Sequence, residues 1–180
     1  QVAAPEEGFP WVESVEIVDT AGNGNGSWDY GEPVDLLPLV HNLGLNELSG
    51  LDLFVASDDE YVTVVTSQTT YPVIAASATK RPVEPLSFML SPQCPDLHPV
   101  SLNLTLRTAD RNEWQQTTTV FTHAPIILDW VISVKDTAID DNQEFQQIDG
   151  DQWLDPGEEA LVSFTLVNSG SGSLDNLSAE

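Results

Sequence analysis

Positive charge is scarce in this sequence. Twenty-nine Asp and Glu residues face five Lys and Arg, a formal net charge of −24 over 180 residues. A surface of that sign repels nucleic acid and anionic lipid and attracts cations, so nucleic-acid partners are excluded. Cysteine is rarer still. Cys94 stands alone, so no disulfide can close within these residues, and a small disulfide-stapled fold is excluded. No apolar run approaches the roughly 18 residues that a spanning helix needs, so no membrane insertion is expected. No basic n-region with an apolar core opens the chain, so no signal peptide is expected there. The opening "QVAAPEEGFP" reads equally as a mature end left by cleavage or as an arbitrary boundary.

A helical stripe is also missing. What is present is alternation. In "VSLNLTLR" (100–107), Val100, Leu102, Leu104 and Leu106 fall on one face, and Ser101, Asn103, Thr105 and Arg107 on the other. That is the period of a half-buried strand. "SVEIV" (14–18), "VDLLPLVHN" (34–42), "LDLFVAS" (51–57), "YVTVV" (61–65), "LSFML" (86–90) and "QQTTTVFT" (115–122) are strand-like too, separated by Pro, Gly, Asn and Asp clusters that read as turns. Hydrophobic content of 41% suffices for a core. The expected fold is all-β, an antiparallel β-sandwich of immunoglobulin-like type, with a barrel as the alternative.

The chain then begins again. "ILDWVISVKDT" (127–137) parallels "WVESVEIVDT" (11–20). Farther on, a constant offset places Asp29, Gly31, Glu32, Asn42, Gly44, Leu48 and Leu51 on Asp155, Gly157, Glu158, Asn168, Gly170, Leu174 and Leu177. Tandem copies of one domain explain this most simply. The expected organisation is an extended segment at 1–10, a sandwich at 11–124 and the first half of a second sandwich at 125–180. Half a sandwich cannot bury its inner face. The second copy is therefore read as part of a longer array, with strands supplied by a neighbouring molecule as the alternative.

Two loops concentrate oxygen. "GNGNGSWDYGE" (22–32) carries Asn23, Asn25, Asp29 and Glu32, and "DGDQWLDPGE" (149–158) carries Asp149, Asp151, Asp155 and Glu158 at the same spacing. Asp19 and Asp136, each at the end of the first strand of its copy, are placed to close the shell, and Asp140 lies in an insertion unique to the second copy. Calcium takes six to eight hard oxygen ligands at flexible geometry, backbone carbonyls included. Glycines let the backbone turn tightly enough to aim those carbonyls inward. Calcium is the expected ion, held more tightly by the second loop. Magnesium, which keeps most of its waters, and zinc, which wants His or Cys, fit less well. The competing reading is that Asn-Gly and Asp-Gly simply build a turn.

"NGNGSWDYGEPVDLLPLVHNLG" (23–44) and "DGDQWLDPGEEALVSFTLVNSG" (149–170) resemble the pattern N-G-[ND]-G-x-x-[DE]-x-G-E, strand, N-x-G, which marks Ig-like repeats of large secreted and cell-surface bacterial proteins. The resemblance implies an extracellular or cell-surface sandwich, stiffened by calcium, that spaces or assembles other parts. Its partners would be other domains of the same chain or neighbouring copies. The first loop departs from the pattern in having Asn where many relatives have Asp.

No catalytic residue is expected. Cys94 and His98 are four apart, but "SPQCPDLHPV" supplies no oxyanion donors and no orienting third group. The expected function is a non-catalytic structural or adhesive module, a spacer or stalk. The alternatives are a filament subunit joined by strand complementation and a carbohydrate-binding module. In the last, Trp28 or Trp153 would stack on a glycan. Otherwise Trp28 and Trp153 are expected to cap their loops, and Trp11 and Trp130 to serve as core anchors or in domain-junction packing. Asn25, Asn103 and Asn176 each open an N-x-[ST] pattern.

Overall fold

The computed structural model describes residues 5–136 and 160–174, with backbone alone for 128–136 and 160–164. Among the described residues there is no helix, and all strand pairs are antiparallel. The chain divides into two compact units, Gln1–Ala124 with Ser171–Ser173, and Pro125–Gly170 with Leu174–Glu180.

The first unit holds β1 (Pro10–Val18), β2 (Pro33–Asn42), β3 (Asp52–Ala56), β4 (Val62–Thr66), β5 (Gln68–Thr70), β6 (Thr79–Lys80), β7 (Leu86–Leu90), β8 (Pro99–Arg107) and β9 (Glu113–Phe121). One sheet runs β1-β2-β7-β4, with the two-residue β6 also paired to β2, and the other runs β5-β3-β8-β9. Both feed one core, an arrangement compatible with a β-sandwich. Alternation builds that core. Val100, Leu102, Leu104 and Leu106 of β8 are each 2% exposed or less, while Ser101 and Asn103 face water. Val34, Leu36 and Val40 of β2, Leu53 and Val55 of β3, and Leu86, Phe88 and Leu90 of β7 pack into it. Each such side chain contributes about 1.5–3 kcal/mol by leaving water.

β5 and β6 were not anticipated from the sequence. At three and two residues they are too short for periodicity to register. Trp11 corrects another expectation. It is 47% exposed, because it pairs with His41 on the outward side of β1 and β2, whereas the neighbouring pair Val12 and Val40 points inward. The tryptophan that does anchor the core is Trp28, fully buried and edge-on to Phe88 with ring centroids 5.6 Å apart.

The second unit contains the hairpin of β10 (Ile127–Asp136) and β11 (Ala160–Asn168). Both β1–β2 and β10–β11 carry one register shift on their first strand. Both also close with one asparagine. Asn42 Oδ1 accepts the N–H groups of Phe9 and Gly44, each at 3.0 Å, and Leu43 N–H donates to the Phe9 carbonyl at 2.8 Å. Asn168 Oδ1 accepts the N–H groups of Ile126 and Gly170, each at 3.0 Å, and Ser169 N–H donates to the Ile126 carbonyl at 2.8 Å.

Candidate functional site: the loop between the first two strands

The loop from Asp19 to Glu32 joins β1 to β2. Two aspartates lie under it, Asp19 at 4% and Asp29 at 2% exposure. Burying a carboxylate is costly unless its oxygens find donors or a cation. Asp19 finds donors. Its Oδ2 accepts Asn25 N–H at 2.9 Å and its Oδ1 accepts Gly26 N–H at 3.1 Å, while its carbonyl accepts Gly22 N–H at 2.7 Å. The loop is thus wound around the Asp19 carboxylate.

Asp29 is different. Its Oδ2 accepts the side-chain amides of Asn23 and Asn25, both at 2.7 Å, but its buried Oδ1 has no hydrogen-bond partner. The side-chain oxygens Oδ1 of Asn23 and Asn25 accept the N–H groups of Asn25 and Ser27, at 3.0 and 2.7 Å. Gly24 and Gly26 have φ of 76° and 79°, so each Asn-Gly step turns through the left-handed region that glycine favours. Glu32 leans over the start of the loop. A Cβ added to Gly22 would lie 2.5 Å from its Oε2, so a larger residue there would push the Glu32 carboxylate aside.

Of the residues singled out from the sequence, Asp19, Asn23, Asn25, Asp29 and Glu32 therefore occupy one small volume. Among the described residues, no three His, Cys, Asp or Glu side chains gather as a metal group. Here two carboxamides share the set with the acids, both donating to Asp29. The donors are all hard oxygens or can present one, which suits calcium in kind. Asp136 ends β10, and Asp140, Asp149, Asp151, Asp155 and Glu158 lie outside the described residues, as does Trp153.

His123 is a neighbour of this loop that no sequence signal announces. Its N–H donates to the Trp28 carbonyl and its carbonyl accepts Tyr30 N–H, both at 2.9 Å, so Asp29 and His123 form a parallel bridge. Trp28 explains the approach. Its indole fills the core, which seats residues 28–30 against His123, just past the end of β9.

Cys94 and His98, the other chemistry-bearing pair, take different side-chain partners. His98 Nε2 meets Asp59 Oδ2 at 2.8 Å, and its ring stacks edge-on to Tyr61. The buried Cys94 thiol faces Thr122 Oγ1 at 3.4 Å instead, and desolvation pushes its pKa up, away from the reactive thiolate.

The chain matches no protein-family model and no curated protein.

Proposed function

We propose that this chain is a non-catalytic structural module of an extracellular or cell-surface protein, built of tandem Ig-like sandwiches and stiffened by calcium at the loops that follow their first strands. The observation that carries the reading is Asp29: a carboxylate oxygen buried without a partner, in a loop already ringed by oxygen. A bound cation would satisfy that oxygen. In this reading Asp29, Asp19 and Glu32 supply charge, and Asn23 and Asn25 supply neutral oxygens. Calcium adds positive charge that offsets the repulsion among the buried acids. The tandem reading is supported by the repeated asparagine closure at Asn42 and Asn168.

A spacer is favoured over a filament subunit that donates its extended start. The Pro5 carbonyl accepts Leu45 N–H at 3.1 Å and Phe9 bonds to Asn42 and Leu43, so this segment is already engaged in its own unit. The glycan reading loses one platform, since a fully buried Trp28 offers no face to a sugar.

Thermal unfolding in calcium, in magnesium and in chelator tests the proposal. A ligand held only by the folded state stabilises it by about 2.7 kcal/mol at one hundred times its Kd. Calcium should raise Tm by several degrees and magnesium by much less. An unchanged Tm in calcium sinks the metal reading.

A further inference from the structure

We propose that β9 is a docking edge for a second copy of the same chain, pairing antiparallel about a two-fold axis at Thr117. This goes beyond the calcium reading and does not depend on it.

A sheet edge exposes unpaired N–H and C=O groups, and proteins that must stay apart blunt such edges with short strands, proline, lysine or bulges. The other edges of the first unit are blunted in these ways. β4 has five residues and a register shift, and β5 has three residues. β1 is long, but it starts at Pro10, shifts register after Val12 and carries Glu13 and Glu16. Its Val12 backbone is moreover occupied: Gln116 Oε1 accepts Val12 N–H at 3.0 Å, and Gln116 Nε2 donates to the Val12 carbonyl at 2.8 Å.

β9 is blunted only at its first residue, Glu113. It pairs with β8 over nine residues without a register shift and with no other described strand. It contains no proline and no lysine, and from Trp114 to Phe121 no charge at all. Its outward residues are Glu113, Gln115, Thr117, Thr119 and Phe121, the last 55% exposed.

The occupant follows from charge and register. In a chain of net charge −24, an uncharged edge is where two copies can meet with least repulsion. Antiparallel pairing about Thr117 sets Thr117 against Thr117, Gln115 against Thr119 and Glu113 against Phe121. Thr–Thr pairs are favourable across strands, and like charges directly opposite are not. This register keeps the two Glu113 carboxylates about 27 Å apart at 3.4 Å per residue, several Debye lengths at physiological salt. A parallel pairing would set them side by side.

Cysteine cross-linking of the full chain tests both partner and register. Directly opposed residues in an antiparallel pair have Cα atoms about 4.5–5.5 Å apart, within disulfide reach. Under mild oxidation Thr117→Cys should give a disulfide dimer, and Gln115→Cys alone should not. An equimolar mixture of Gln115→Cys and Thr119→Cys should cross-link as readily as Thr117→Cys. The buried Cys94 should contribute no background. In sedimentation velocity the wild-type chain should dimerise more strongly as salt rises, with or without calcium. Thr119→Glu should weaken the dimer about tenfold, by bringing a like charge beside the partner copy's Glu113 at the seam. A wild-type chain that stays monomeric at all salt concentrations overturns the proposal. So does equal cross-linking by Gln115→Cys and Thr117→Cys.

Discussion

Asp29 and His123 lie side by side in a parallel bridge, closed by two backbone hydrogen bonds of 2.9 Å. The backbone of the loop is thereby tied to the segment just past β9. Asp29→Asn removes the charge whose one oxygen is buried and unpartnered. In chelator the variant should be as stable as wild type or more so, because the unpaired charge is gone. In calcium the order should reverse, with the wild type gaining Tm and the variant gaining little. Paired melts in calcium and chelator read this directly. An equal calcium response in both proteins would remove Asp29 from the metal site.

Asn42 is fully buried, and its side-chain amide also donates to the carbonyls of Asn46 and Ile74, at 2.8 and 3.1 Å. Asn42→Ala strands these partners and should cost about 2–4 kcal/mol, since each unsatisfied buried group costs about 1–3 kcal/mol. Asn168 closes its hairpin with the same acceptor oxygen but is exposed, so water can replace it. Asn168→Ala should cost under about 1 kcal/mol. Urea denaturation of both variants compares them, and equal losses would contradict the account.

Trp28→Ala should cost about 3–5 kcal/mol, the usual price of emptying a large aromatic site. Trp28→Phe should cost less, because the indole N–H is itself buried without a partner and phenylalanine removes it. Both variants should also speed amide exchange at Tyr30 and His123, whose bonds depend on the seated indole. Unchanged exchange at those two positions would separate the core from the loop.

Asp96 belongs to the first unit. Its Oδ1 accepts Ala124 N–H at 3.0 Å and the Ser171 hydroxyl, and its Oδ2 accepts Ser171 N–H at 3.0 Å. Partial desolvation acts to raise its pKa, but these bonds and one from the Leu97 N–H outweigh it and hold the carboxyl below its ordinary value. With the folded value lowered, the stabilisation is complete above the unfolded pKa of about 3.9 and is lost as pH falls through the folded one. Asp96→Asn should therefore narrow the gap between stability at pH 6 and at about pH 3. Parallel acid titrations that fall equally steeply would show that Asp96 contributes nothing.

Strand identity was readable because burial in this unit alternates along the chain, as Val100, Leu102, Leu104 and Leu106 show. The oxygen-rich loop was readable because its spacing recurs. The two tryptophans were not. Trp28 sits among glycines and acids, and only contact with Phe88, on another strand, makes it a core residue. Trp11 looks like an anchor until its pairing with His41 assigns it to the outer face. Which face of a strand is inward depends on register with its neighbour, and one bulged residue reverses it. The approach of His123 to the loop follows from the seating of Trp28 and has no local signal of its own.

Gln116 joins the two sheets with one amide, accepting from Val12 with its oxygen and donating to Val12 with its nitrogen. That duality makes the link perishable. Hydrolysis of the amide to a carboxylate, a slow reaction of ageing proteins, would keep the acceptor and replace the donor with a charged oxygen facing a carbonyl. The first strand would then lose one of its ties to the opposite layer through a change of about a single mass unit, with no substitution in the gene and no break in the chain.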